Sequence, residues 1–262
     1  MATAADLFNP IFRGFLSASR PRLGIYIPYE RVNTKLLLEG VKAVGCVPED
    51  CVLFVDFTGA PFALDGVAGS VAGLFDELGN AARWIRIVFQ GSAFPTTNPA
   101  ESGGQYLVAR NEWKIFLAAL RECSIPPELI GFGDFGADCG EIKFPRKSGG
   151  VVPIRHLRYT AATSIIVIRG RATGEQGDAM KDVCQRALAC GQYAGQRFSY
   201  ADDQIWRVAH GQSTGGTPSM WREWNMAHHM TRVVRDFGAM VGITFADGPA
   251  SPLVEQASLF PE

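Results

Sequence analysis

The feature that most narrows the fold is an alternation. Short β-branched runs trade places with longer amphipathic stretches along most of the chain, the pattern of parallel β/α units. Residues 23–27 (LGIYI) read as a strand and 34–43 as the helix behind it. Residues 51–57 (CVLFVDF) are followed by a helix from about 65 to 78, and 84–91 (WIRIVFQG) by one from about 110 to 121. A strand at 129–136 (LIGFGDFG) follows. Two runs, 154–160 and 164–170, then fall close together before a helix from about 178 to 191. The last unit reads as a strand at 204–211 (QIWRVAHG) and a helix ending near Phe237. The fold class implied is α/β, a TIM-barrel-like parallel β/α fold, closed or incomplete. It forms a single domain over residues 21–245, between an N-terminal extension or helix (1–20) and a tail (246–262).

Composition excludes several classes. With 25 Lys and Arg against 26 Asp and Glu, no overall field draws the chain to nucleic acid or an anionic membrane, and only a small patch of Arg146, Lys147, Arg155 and Arg158 would suit phosphate. The purely apolar strings are at most six residues long, where a spanning helix needs about 20. The six cysteines contain no C-x-x-C pair and no zinc-finger spacing, so they read as reduced thiols of a soluble, cytoplasmic protein. The first twenty residues lack the long apolar run of a secretory signal. Their arginines and serines leave a transit peptide as the alternative to a helix laid on the body.

In a parallel β/α fold the carboxyl ends of the strands carry the chemistry. The polar residues there are Asp56, Gln90, Ser92, Asp134, Tyr159, Arg169 and His210. Asp56 and Asp134 suit a divalent cation or a general base, and Arg169 and Tyr159 an anionic or planar ligand. Each residue also has a bland reading as a cap or solvated end. Asp134, Asp138 and Glu141 do not match the EF-hand pattern and read as loop residues, and Asp202 and Asp203 as a solvated turn.

The segment from Gly211 to Ser219 (GQSTGGTPS) runs into the last helix, with Thr217 placed as N-cap and Pro218 at the first helical position. Free N–H groups of Gly215, Gly216 and Thr217, with Trp221 and Arg222 in the first turn, make an anion site the functional reading of this loop. On the helix, Met220, Trp224, Ala227, Thr231 and Val234 share the expected core face. Trp221, Asn225, His228 and Arg232 form a neighbouring stripe, and His229 points further round. His228 reads equally as a hydrogen-bonded rim residue or a proton-transfer group.

The motifs LFVDFTG, FQGSAFP, ARNEW (109–113), GFGDFG, RYT (158–160), IRG (168–170), GQRFSYADDQI and MWREWNMAHHM occur in this order. In that order and spacing, over roughly residues 50–238, the chain resembles the Beta family proteins of phages and bacteria. The resemblance implies a barrel-like α/β fold and a setting in phages, prophages or phage–host conflict. It brings no established catalytic residues and leaves the cofactor unknown. Against the family the chain reads as short on its N-terminal side by one or two β/α units, so that an incomplete barrel, completion by a protein partner, or a truncated product are all implied. Two functions follow. One is binding of an anionic, nucleotide-like small molecule or a protein partner at the barrel's carboxyl face. The other is metal-assisted hydrolysis of phosphoesters, with Asp56 and Asp134 on the cation, Arg169 stabilising charge, and His210 or His228 as acid or base.

Overall fold

The structure, a computed structural model, describes residues 2–11, 14, 22–140, 154–171 and 176–247. The chain divides into two compact units. The first lies within residues 1–94 and 110–142, the second within 95–109 and 143–262.

The first unit is a parallel sheet of β1 (Ala2–Thr3), β2 (Leu23–Pro28), β3 (Cys51–Asp56), β4 (Arg86–Gln90) and β6 (Ile130–Gly133), in that spatial order. The helices α1 (Thr34–Ala43), α2 (Val67–Ala81) and α3 (Asn111–Glu122) connect its successive strands from β2 to β6. An order that never reverses is that of a singly wound sheet, the arrangement a barrel also uses; in doubly wound folds it reverses at a switch point. Among the described residues the sheet does not close into a barrel. Alternation divides its faces. Ile25, Leu53, Ile87 and Ile130 stand in one register row and are all buried, whereas Tyr26 and Phe54 on the other face are half-buried. The short β1 was not legible as a strand. Its two residues pair with Ile25 and Tyr26, and Leu7 just beyond them is fully buried against Gly40 of α1, where a methyl group would already crowd it.

The second unit holds an antiparallel sheet in the order β5 (Gln105–Ala109), β8 (Ser164–Arg169), β7 (His156–Thr160), with α4 (Gln176–Ala189), α5 (Tyr200–Ala209) and α6 (Pro218–Met240). Here the expected parallel pattern gives way. The two closely spaced runs form a hairpin, and the five residues of β5, outside every expected strand, add to its far side. The expected strand at 204–211 is instead part of α5. Its apolar residues Ala201, Ile205, Val208 and Ala209 recur at helical spacing, and Ser199 caps it by accepting from the Asp202 N–H at 3.2 Å. Gly211, at φ 72°, ends it with the paired bonds of a Schellman stop, Gly211 N–H to the Val208 carbonyl and Gln212 N–H to that of Arg207.

Asp202 and Asp203 are therefore not a solvated turn. Asp202 is fully buried and accepts from the Tyr159 hydroxyl at 2.7 Å, while Asp203 pairs with Arg207 at 2.7 Å. The His228 ring joins Asp202 Oδ2 at 2.9 Å through Nδ1 and the Thr160 carbonyl at 2.8 Å through Nε2. A carbonyl only accepts, so Nε2 carries a proton, and a further proton lies between Nδ1 and Oδ2. On the same face of α6, the Asn225 side chain accepts the Arg158 N–H at 2.9 Å and His229 meets the Thr160 hydroxyl at 2.8 Å. Arg158 and Thr160 are the β7 residues that turn away from β8, so α6 satisfies the outer edge of this strand.

The core face of α6 is displaced from the one expected. Trp221, Asn225, His228 and His229 are buried with Trp224, whereas Val234 is 52% exposed. Replacing Asp202 by Ala strands the Tyr159 hydroxyl and leaves His228 Nδ1 without its partner in the interior. It should lower unfolding free energy by about 3 kcal/mol in urea titrations. A loss under about 1 kcal/mol would show the network to be dispensable.

Candidate functional site

In the first unit the carboxyl edge of the parallel sheet gathers polar side chains as the sequence implies. Pro28, Asp56, Gln90 and Gly133 occupy one register row at the ends of four neighbouring strands. Asp56, 8% exposed, accepts the Tyr26 hydroxyl through Oδ2 and the Thr58 N–H at 2.8 Å through Oδ1. Partial burial, then the bond to Asp56, pushes the Tyr26 phenol up to about 12, so it stays a donor at neutral pH.

Ser92, just past the end of β4, donates to the Asp138 carbonyl at 2.7 Å and ties the loop after β6 to this edge. In that loop Asp134 folds back to accept the Gly136 N–H at 2.9 Å, and Ala137 takes the left-handed conformation at φ 61°. Gly140 packs where a Cβ would lie 2.7 Å from the Thr58 hydroxyl, so the loop can approach this closely only with glycine there. Glu141 lies outside the described residues.

The strongest electrostatic feature of the edge was missed by sequence reasoning. Glu112, in the first turn of α3, is 4% exposed and accepts the Ala93 N–H at 3.2 Å. Burial pushes its carboxyl up to about 7. The helix's own N–H and the Arg110 charge oppose that push, and the Asp134 charge adds to it. Arg110 is itself 2% exposed and lies 5.2 Å from the Trp113 ring centroid. Beneath them is an aromatic floor in which Phe89 stacks on Phe57 at 4.7 Å, and Phe132 meets Trp113 edge-on at 4.8 Å. The signal was present as the Arg110-Asn111-Glu112 run opening a helix behind a long loop, where an acid is ordinarily read as a helix-dipole partner.

With this geometry in view, the comparison with known families is decisive: the Beta protein family model matches residues 19–235. The chain belongs to the Beta protein family. No curated protein and no solved structure matches it. In this Beta protein the remaining sequence candidates lie in the second unit and have local structural partners. Tyr159 is buried on Asp202 and stacks on His228 at 3.8 Å. Arg169 donates to the Ala100 carbonyl at 3.0 Å, fastening the loop before β5. His210 ends α5 rather than a strand. It is exposed, bonded to the Trp206 carbonyl at 2.8 Å and stacked on that ring at 4.1 Å.

The loop from Gly211 to Thr217 joins two helices rather than a strand and a helix. Thr217 caps α6 as expected, its hydroxyl accepting from Met220 N–H at 3.4 Å, with Pro218 in the first turn. The Trp221 indole N–H donates to the Gly215 carbonyl at 2.6 Å, Gly216 lies against the Trp224 ring, and Arg222 is exposed. His228, read as a rim or proton-transfer group, is 1% exposed. In the basic patch, Arg146 and Lys147 lie outside the described residues. No group of three or more His, Cys, Asp or Glu able to hold a metal occurs among the described residues, and no helix there is long and apolar enough to cross a membrane.

Glu112 gives the site a measurable signature. Its folded value near 7 lies above the ordinary 4.5, so between those values the folded chain holds a proton that the unfolded chain has released. The stability this contributes is complete below about pH 4.5 and is lost as pH rises through 7. The Glu112→Gln variant should show a flatter stability profile over that range in denaturant titrations. Superimposable profiles would place the Glu112 carboxyl in an ordinary environment.

Proposed function

We propose that this Beta protein binds a polar small molecule at the carboxyl edge of its parallel sheet, in the phage or host-defence setting that the family resemblance implies. The observation that carries the reading is the register row of Asp56 and Gln90 beside a buried Glu112 held near neutrality. Parallel sheets present their strand ends and helix starts at this edge, and titratable groups with displaced pKa values concentrate at such sites.

The chemistry of the lining narrows the ligand. Asp56, Glu112 and Asp134 offer oxygen acceptors, and Tyr26 and Gln90 add hydrogen-bonding groups. Arg110 supplies a planar cation, also buried in this unit. A ligand with several hydroxyl or amino donors and at most one anionic group fits that set. A nucleoside or sugar derivative meets it better than a polyphosphate, because carboxyl groups supply most of the lining and repel additional negative charge.

The Gly211–Arg222 segment supports ligand binding less well. Its Thr217 hydroxyl caps α6, and its Gly215 carbonyl holds the Trp221 indole. Metal-assisted phosphoester hydrolysis would rest on Asp56 and Asp134, and among the described residues no group of three or more His, Cys, Asp or Glu able to hold a metal includes them.

Native mass spectrometry of gently purified protein, compared with its denatured mass, tests the reading, followed by calorimetric titration with nucleosides and sugars. A retained or titrated ligand should weaken at least tenfold in Asp56→Asn or Glu112→Gln, the scale of one lost charge-assisted hydrogen bond, about 1.5–3 kcal/mol. A ligand whose affinity ignores both substitutions would move the site elsewhere.

A further inference from the structure

The loop that leaves β4 is held against a carboxyl group with almost no access to water. Its root is fixed: the Gly91 N–H donates to the Gly133 carbonyl at 3.2 Å, and a Cβ at Gly91 would lie 3.1 Å from the Phe62 ring. Beyond the root, the Ser92 hydroxyl donates to the Asp138 carbonyl and accepts the Phe94 N–H at 3.0 Å. The Ala93 N–H between them points at Glu112 Oε2, 3.2 Å away, and Glu112 is buried. This loop and the first turn of α3 therefore close on one another through a carboxyl-to-backbone bond.

Closure resists ionisation of that carboxyl. A carboxylate has about four acceptor positions to satisfy. Glu112 receives its own backbone N–H and that of Ala93, the latter at a distance long for a charge-assisted bond. Two charges act on it from adjoining segments: Arg110, just before α3, favours the carboxylate, and Asp134, in the loop after β6, disfavours it. Residues 91–94 (GSAF) bring no charge of their own. Burial outweighs the favourable contacts, so the closed arrangement holds the proton up to about pH 7, against 4.5 for a carboxyl in water. Closure and protonation are linked. A group that binds its proton more tightly with the loop closed than open favours closure at low pH, and that advantage is lost as pH rises through the folded value.

We propose that Glu112 is a proton-controlled latch on the loop after β4, holding Ala93 at the carboxyl edge of the sheet when protonated and releasing it when ionised. As regulation of ligand access the latch rests on the binding reading above, but the movement itself does not, and it is measured without a ligand. Amide exchange of the full chain, corrected for the intrinsic rate at each pH, reads it at Ala93. Ala93 should be less protected than Val88 in the interior of β4, and its protection should fall about tenfold or more between about pH 5 and about pH 8. Glu112→Gln keeps an oxygen acceptor for the Ala93 N–H and cannot ionise, so its protection at Ala93 should stay constant over that range. Ala93 protection that equals that of Val88 at both pH values, that does not fall in the wild-type chain, or that falls equally in Glu112→Gln overturns the proposal. A chain that binds no nucleoside or sugar would sink the binding reading and leave each of these outcomes to be read as stated.

Discussion

The second unit depends on how α6 meets β7. A strand at the edge of a three-stranded sheet presents N–H and C=O groups that must find partners or water. Asn225 and His228 provide those partners at the Arg158 N–H and the Thr160 carbonyl, and His229 meets the Thr160 hydroxyl from the same face of the helix. The arrangement draws in α5, because the buried His228 Nδ1 finds its partner in Asp202, and Asp202 also receives the Tyr159 hydroxyl. Strand, two helices and a buried proton are thus linked through side chains that exclude water together. The dense run of tryptophans and histidines near the end of the chain is, on its inner face, a sheet-edge seal.

The first unit solves a different problem. Its strands are joined in sequential order, so each strand end lies next to the end of the strand before it, and polar residues at equivalent positions become neighbours without any long-range design. Asp56 and Gln90 meet for that reason. Glu112 reaches the same edge because α3 begins there, and its burial beside an aromatic floor raises its pKa. A carboxyl near neutrality exchanges protons at little cost at physiological pH, which suits recognition of hydroxyl-rich ligands and proton transfer alike.

The parallel half was legible in the sequence because each of its main strands is a continuous β-branched or aromatic run and each helix keeps a regular apolar period. The antiparallel half was less legible. Residues 204–211 look like a strand when taken alone. Only Ser199 three positions before Asp202, and Gly211 as a stop, show that the period is helical. β5 is a five-residue run without apolar–polar alternation that leads almost directly into α3, so it does not stand out without β8 beside it. Of the candidate site, Asp56, Gln90, Ser92 and Asp134 follow from strand ends, whereas Glu112 and Arg110 required knowledge of burial. His228 could be placed on a helix stripe but not assigned a partner, since that partner comes from α5, which had been read as a turn and a strand.

The central claim is that α6 side chains replace a missing neighbouring strand at β7, and amide hydrogen exchange measures this directly at one atom. The Arg158 N–H, bonded to the Asn225 side chain at 2.9 Å, should exchange as slowly as the interior amides of β8. In Asn225→Ala its protection should fall while the β8 amides retain theirs. Rapid exchange at Arg158 in the wild-type chain, or protection unchanged by the substitution, would contradict the account.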